Sequence, residues 1–340
     1  MTEQEYRAVK VDSYSSLKWI ANPFYGVRKY KKLYIDNIPD KESDENKEFL
    51  KLGSLVDCML FTPEDIDKRY YISDESIVLP TGNEYKFAHH LYKLTLEANS
   101  NGVNLEEKFG EICQQAYDNA GIKRPTYETF IKVFLEGSNT EKYYQQLLAA
   151  TGKEVITVGE INNAHNVVNT LKTNRFTKHI FEGEFFPQVK VFFEYEGRKL
   201  KGMLDLVVPD HKAKTLAPWD LKCKALPEDF DWDYRKMYYY LQHAIYMMGL
   251  RVWADENGYG DYEILPFQYL VASSTDYTDP LIFQTSSSMV NEAINGFTYR
   301  GRQFKGLDEI ISEIQWAEEN DIWRISRRDF ELKAIRQLKY

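Results

Sequence analysis

Cysteine is scarce in this chain of 340 residues: Cys58, Cys113 and Cys223 stand far apart and form no Cys-X-X-Cys pair. That excludes a disulfide framework and a zinc ribbon, and leaves buried thiols as the expectation. Long hydrophobic runs are missing too, since none approaches the roughly eighteen apolar residues that a membrane-spanning helix needs. Met1–Lys10 is too polar for a signal peptide, so a cytoplasmic protein without a membrane partner is expected. An excess of positive charge is also lacking: 43 Lys and Arg face 52 Asp and Glu, for a formal net charge of -9 at pH 7. Phosphate binding is dominated by Lys and Arg, so this balance argues against a general nucleic-acid coat while leaving room for local basic patches. What the chain has in quantity is core material. Its 43% hydrophobic and 15% aromatic residues suffice for one large domain or two smaller ones.

The most informative stretch is Gly202-Met203-Leu204-Asp205-Leu206-Val207-Val208, a polar loop from Pro209 to Lys214, and then Thr215 to Lys222. Two apolar runs broken by such a cluster predict a β-hairpin. A turn centred on His211 to Lys214 sets Asp205 opposite Asp220 on neighbouring strands. Facing carboxylates repel, and a hard divalent cation, with its oxygen ligands and room for water and a phosphate oxygen, is a natural way to hold them. Residues two apart on a strand share a face, so Lys222 projects beside Asp220 while Leu221 points to the core. The bland alternative is a surface salt bridge, because Asp-X-Lys alone is common. Further along, Asp233 to Leu250 carries apolar residues at helical spacing, with Gln242 and Tyr246 one turn apart on one face. Gly-X-X-Asp, Asp-X-Lys and Gln-X-X-X-Tyr in succession form a much rarer conjunction.

With these motifs the chain resembles the PD-(D/E)XK nuclease superfamily, and within it the phage and RecE-like (exonuclease VIII C-terminal) exonucleases. Tyr14-Ser15-Ser16-Leu17-Lys18 followed by Asn22-Pro23-Phe24-Tyr25 is similar to the family's Ser-X-Leu-Lys helix and its continuation. Leu52-Gly53-Ser54-Leu55-Val56-Asp57 resembles the helix usually written Leu-Gly-Ser-X-X-His, and Gln188 to Gly197 matches the strand leading into Asp205. The resemblance touches most of the chain from Tyr14 to Tyr246. It implies an α/β (α+β) fold with a restriction-endonuclease-like core, a mixed central sheet flanked by helices, plus a helical insertion. It also implies a site. Asp205, Asp220 and the backbone carbonyl of Leu221 would hold Mg2+ or Mn2+, with Asp57 completing the sphere. Lys222 would orient or deprotonate the attacking water, or stabilise the transition state as a point charge. Ser16, Gln242 and Tyr246 would support the metal site and contact the DNA backbone.

Two departures stand out. Asp57 replaces the usual His, a permissible exchange because a carboxylate is a good hard-metal ligand. Gln188 occupies the place where many relatives carry Glu, which leaves Glu184 and Glu194 as substitute ligands. Relatives that clamp an iron-sulfur cluster use one cysteine near the N-terminal motif and three near the C-terminus; here Asn22 stands in the first place and no cysteine follows Cys223, so no cluster is expected.

The remaining organisation follows from periodicity and punctuation. Residues 13–34 predict a capped helix broken near Asn22-Pro23, Asp36–Glu48 a charge-rich mobile loop, and Phe49–Phe61 a further helix. Helical periods run over Tyr85–Ala98, Leu105–Ala120, Thr126–Leu135 and Thr140–Ala149. Thr157–Thr173 is another amphipathic helix. Strands are expected at Phe185–Tyr195, Arg198–Val208, up to Lys222, at Ile264–Ala272 and at Leu281–Gln284, with helices over Ser288–Gln303 and Leu307–Glu319. The expected division is N-terminal helices of the core at 1–75, a helical insertion or cap at 76–150, the nuclease core at 151–285 and C-terminal helices at 286–340.

Two basic patches could meet nucleic acid. Lys18, Arg28, Lys29, Lys31 and Lys32 lie among Trp19, Phe24, Tyr25, Tyr30 and Tyr34, a composition suited to tracking a backbone beside stacking platforms. The tail adds Arg324, Arg327, Arg328, Lys333, Arg336 and Lys339. An ordinary solvated helix face is the alternative for either. The function these features imply is a metal-dependent DNA exonuclease of the phage recombination type. By resemblance it would degrade one strand of a duplex from its end, 5′ to 3′, leave a tail for a single-strand annealing protein, and form a homo-oligomeric ring around DNA. Competing readings are a single-strand or flap nuclease, and a DNA-binding accessory module that has lost catalysis.

Overall fold

The structure is a computed structural model, and it describes residues 1–38 and 45–335. Residues 39–44 of the expected loop Asp36–Glu48, together with Arg336 and Lys339, lie outside the described residues, and the last part of that loop is helical, since the helix expected from Phe49 already starts at Glu45. The chain divides into two compact units, one made of Met1–Phe61 and Asn166–Tyr340, the other of Thr62–His165.

The first unit is built on a three-stranded meander. Phe186–Tyr195 turns at Glu196-Gly197, whose φ values of 49° and 72° match the mirror-image turn that suits a twisted hairpin, into Arg198–Asp210. The second strand returns through His211–Lys214 to Thr215–Lys224. Asp210 Oδ1 shapes that turn by accepting the backbone N–H groups of Lys212 (2.9 Å) and Ala213 (2.8 Å). A long helix, Tyr239–Glu256, then carries the chain over to Gln268–Ser273, which pairs parallel to the third strand, and Leu281–Gln284 closes the sheet antiparallel. Glu263–Ile264 pairs separately with the start of the third strand. Pro266, which has no N–H to donate, separates these pieces where one strand was expected. The result is a mixed sheet of six strands flanked by helices.

The long helix is apolar on nearly every side. Leu241, Ala244, Ile245, Leu250 and Ala254 are fully buried between the meander and the helices Tyr14–Ala21 and Ser287–Asn295. Two glycines permit its approach to the sheet. A Cβ at Gly202 would lie 2.9 Å from the Tyr246 ring, and one at Gly249 would collide with the Val191 side chain. The glycine of the Gly-X-X-Asp motif therefore has a packing reason: it makes space for the tyrosine of Gln-X-X-X-Tyr.

The N-terminal segment is pinned by buried polar groups far apart in sequence. Asp12 accepts from Ser16 Oγ (2.8 Å), from Tyr30 OH (2.8 Å) and from Arg198, whose guanidinium also reaches Glu318 at 2.9 Å and 3.1 Å. Lys201 buries its ammonium against the end of the helix Glu3–Ala8, donating to the carbonyls of Tyr6 (2.9 Å) and Val9 (2.6 Å). Arg198→Met is expected to lower unfolding stability by about 3–5 kcal/mol, because Asp12 would be left buried without its cation. Denaturant melts check this, and adding Asp12→Asn to the same chain should recover part of the loss.

The second unit is helical, with Gly82–Ser100, Leu105–Asn119, Tyr127–Leu135 and Asn139–Ala149 close to the expected bounds. Phe87, Leu91, Ala116, Phe134 and Tyr144 form its core. It begins and ends outside 76–150 because Tyr70–Ile72 pairs in parallel with Glu154–Ile156 and ties the two flanks together. A second departure lies near the C-terminus. The expected helix Ser288–Gln303 stops at Asn295, and Phe297–Tyr299 pairs with Arg302–Phe304 as a small hairpin. Gly296 (φ 85°) ends the helix and Arg300-Gly301 (φ 48° and 74°) makes the turn, so these local signals override the helical period.

Candidate active site

Register brings the two aspartates together. Leu206 pairs with Trp219 and Asp210 with Thr215, so the same frame sets Asp205 opposite Asp220. Asp220 is almost completely buried at 1% exposure. Gln242, from the long helix, donates Nε2 to Asp220 Oδ1 (3.0 Å) and to the Tyr246 hydroxyl (3.1 Å). Asp205 Oδ2 accepts the backbone N–H of Leu221 at 2.7 Å. Lys222 closes an ion pair with Asp220, its ammonium 4.8 Å from the centre of the Tyr239 ring and 5.9 Å from that of Tyr269. The hairpin and the helix thus gather Asp205, Asp220, Lys222, Gln242 and Tyr246 into one cluster.

Asp57 lies on the helix Glu45–Phe61, which packs on the third strand, near enough for its charge to act on Asp205. Burial pushes the Asp205 carboxyl well above the usual carboxylate range, and the charges of Asp220 and then Asp57 push it further. Burial also raises Asp220, against the opposing pull of Lys222. For Lys222, burial works against the charged form, yet Asp220, Tyr239 and Asp205 outweigh it and hold the ammonium well above the ordinary lysine range. Lys222 is therefore a fixed positive charge here, and the repulsion that it leaves uncompensated falls on Asp205, which holds its proton more tightly than an ordinary carboxyl.

Such a donor set fits a hard divalent cation. Two facing carboxylates are forced together in a dry site, a third is in electrostatic reach, and Gln242 Oε1 is a buried acceptor with no hydrogen-bond partner beside Asp220. Among the described residues no three His, Cys, Asp or Glu side chains form a ready metal cage.

The other residues singled out from the sequence divide between the site and more distant positions. Ser16 is buried, but its hydroxyl serves Asp12 and the Ser13 carbonyl rather than the carboxylate pair. Gln188 is the cross-strand neighbour of Asp205 by register, and its φ of 48° interrupts the ladder there, a strained backbone of the kind that clusters at functional sites. Glu184 is drawn to the hairpin turn, where it meets His211 Nε2 at 3.0 Å. Glu194 pairs in register with Lys199 at the far end of the meander, about 20 Å along the strand from Asp205. The structure does not bring either glutamate to the aspartates. The two basic patches do meet, since Arg28, Lys31 and Lys32 line a cleft of about 820 Å³ with Trp323 and Arg324, alongside Asp36 and Asp321.

Tyr14, Tyr239 and Tyr269 surround Lys222 without having been singled out. Tyr14 donates its hydroxyl to the Met237 carbonyl (2.5 Å) and its ring lies 5.9 Å from that of Tyr239. Tyr239 stands three residues before Gln242, so helical spacing alone could have marked it.

Comparison with known proteins bears on this geometry. A comparison with curated proteins found no match. Among solved structures, a crystal structure from Eubacterium rectale described as a "putative exonuclease" superposes with a TM-score of 0.51 at 15% identity, covering 100% of this chain and 95% of that one. At that identity the likeness shows the fold, a restriction-endonuclease-like arrangement. A family model described as "PDDEXK-like domain of unknown function (DUF3799)" matches residues 27–319. That match spans most of the chain, both aspartates, Lys222 and the Gln242/Tyr246 helix, and so the chain belongs to this PDDEXK-like family, within the PD-(D/E)XK nuclease superfamily.

Proposed function

We propose that the protein is a metal-dependent DNA exonuclease that hydrolyses phosphodiester bonds from the end of a duplex. The observation that carries this reading is the pairing of Asp205 with Asp220 across the hairpin, with Lys222 on the second of them and Gln242 behind it. Asp205, Asp220 and the Leu221 carbonyl would hold Mg2+ or Mn2+, with Asp57 as a further ligand. When bound, the cation would activate water and neutralise charge on the phosphate. Lys222 adds a point charge beside the scissile phosphate and fixes the water by hydrogen bonding. Gln242 keeps Asp220 turned towards the site, and Tyr246 keeps Gln242 in place.

The family resemblance adds the finer terms of the proposal: attack from the 5′ end in phage-type recombination or DNA processing, delivery of the product to a single-strand annealing protein, and a ring of several copies. No helix among the described residues is long and apolar enough to cross a membrane, and we place the activity in the cytoplasm, where the DNA is. The test uses end-labelled linear and covalently closed circular duplexes with Mg2+, with and without EDTA. Loss of linear DNA alone, stopped by EDTA and by Asp220→Ala, is the expected result. Cutting of circles would indicate an endonuclease, cutting of single strands or flaps alone a structure-specific nuclease, and binding without cleavage an accessory module.

A further inference from the structure

The aromatic contacts around Lys222 continue outward as an unbroken series. Lys222 lies over Tyr239, Tyr239 meets Tyr14 at 5.9 Å, and the Lys18 ammonium lies 5.7 Å from the Tyr14 ring and 5.2 Å from that of Trp19. Lys29 then lies between Trp19 (4.5 Å) and Tyr25 (4.9 Å), whose rings meet edge-on at 5.3 Å. At the outer end Phe24 is 82% exposed, held out by a turn in which its N–H bonds Asn22 Oδ1 (2.9 Å). The sequence of this segment is uneven in charge, with Asp12 and Asp36 flanking it and Asp36 pairing with Lys31 at 2.6 Å. Residues 13–35 contain five Lys and Arg and no Asp or Glu, in a chain with 52 acids.

We propose that this ladder is the path of one unpaired DNA strand between the outside and the catalytic lysine. The proposal rests on the nuclease reading and adds to it where the single strand runs. Alternating rings and ammonium groups match the two things a single strand offers: bases with open π-faces, and phosphates. A duplex hides its base faces, so exposed rings at Phe24 and Tyr25 gain nothing from it beyond what the lysines supply. A protein-binding patch would give no reason for ammonium groups between successive rings or for the exclusion of acids over the whole segment. Bases would stack on Phe24 and Tyr25 at the entrance, and Lys29 and Lys18 would take successive phosphates on the way to Tyr14.

The experiment measures binding of a fluorescein-labelled dT 20-mer by anisotropy in EDTA, over a range of salt, for the wild type, Phe24→Ala, Tyr25→Ala and Lys18→Ala/Lys29→Ala. Both rings are exposed, and melting curves confirm folding. Each ring variant is expected to bind about 5- to 100-fold more weakly with an unchanged salt slope, and Phe24→Trp should restore binding. The double lysine variant should lower the slope of log K against log salt by about 1.4, which a merely structural role would not do. Wild-type affinity and slope in all the variants, or no wild-type binding to the 20-mer, would overturn the path. Linear duplex degradation by the wild type is scored separately with Mg2+ and Mn2+: its absence would overturn the nuclease reading, and its presence beside unchanged single-strand binding would overturn the path alone.

Discussion

Lys222→Met is expected to slow cleavage of linear duplex by about 10²- to 10⁴-fold, the range lost with a positioned proton-transfer or charge-stabilising group. Methionine keeps an unbranched stem over the Tyr239 and Tyr269 rings, so the variant removes charge with little loss of packing. The substitution also frees Asp220 from the cation that opposes its burial. Asp220 would then take up a proton more readily, and the activity that remains should move to higher pH. A rate–pH profile with a matched melting curve separates this outcome from unfolding. A variant that loses its melting transition along with its rate would show that Lys222 holds the fold instead.

Asp205→Asn is expected to abolish cleavage while raising stability, by about 1–2 kcal/mol at neutral pH, a Tm increase of a few degrees. Asparagine Oδ1 can still accept the Leu221 N–H, so the substitution removes charge and keeps the bond. The sign follows from linkage. The folded-state pKa of Asp205 is raised above its unfolded value by burial, Asp220 and Asp57, so folding binds a proton and stability is lost as pH rises from the unfolded pKa towards the folded one. The advantage of the variant should therefore be absent near pH 3 and grow through the acid range. Equal melting of the two proteins at every pH would mean that Asp205 is not under the repulsion described.

Much of this was legible in the sequence, for identifiable reasons. The hairpin could be read because the polar cluster Pro209–Lys214 interrupts two apolar runs, and a turn of known length fixes the register that sets Asp205 against Asp220. The helical unit could be read because glycines and prolines punctuate its periods. Two kinds of feature stayed hidden. The hairpin Phe297–Phe304 lay inside an acceptable helical period, although Asn295-Gly296 and Arg300-Gly301 carried the contrary signal. The Asp12, Tyr30, Arg198 and Glu318 network has no local signature, since its members meet only once the N-terminal segment lies along the second strand. The cage around Lys222 was hidden for a similar reason: Tyr14, Tyr239 and Tyr269 come from two helices and a neighbouring strand. The roles of Glu184 and Glu194 as substitute ligands rested on proximity in sequence, and strand geometry carries both side chains away from the pair.

The measurement closest to the centre of this account is a calorimetric titration of Mn2+ into the wild type, Asp205→Asn and Lys222→Met. The account predicts saturable binding by the wild type, its loss in Asp205→Asn, and its retention in Lys222→Met, where the competing ammonium is gone. Equal binding by the wild type and Asp205→Asn, or none by the wild type, would contradict it.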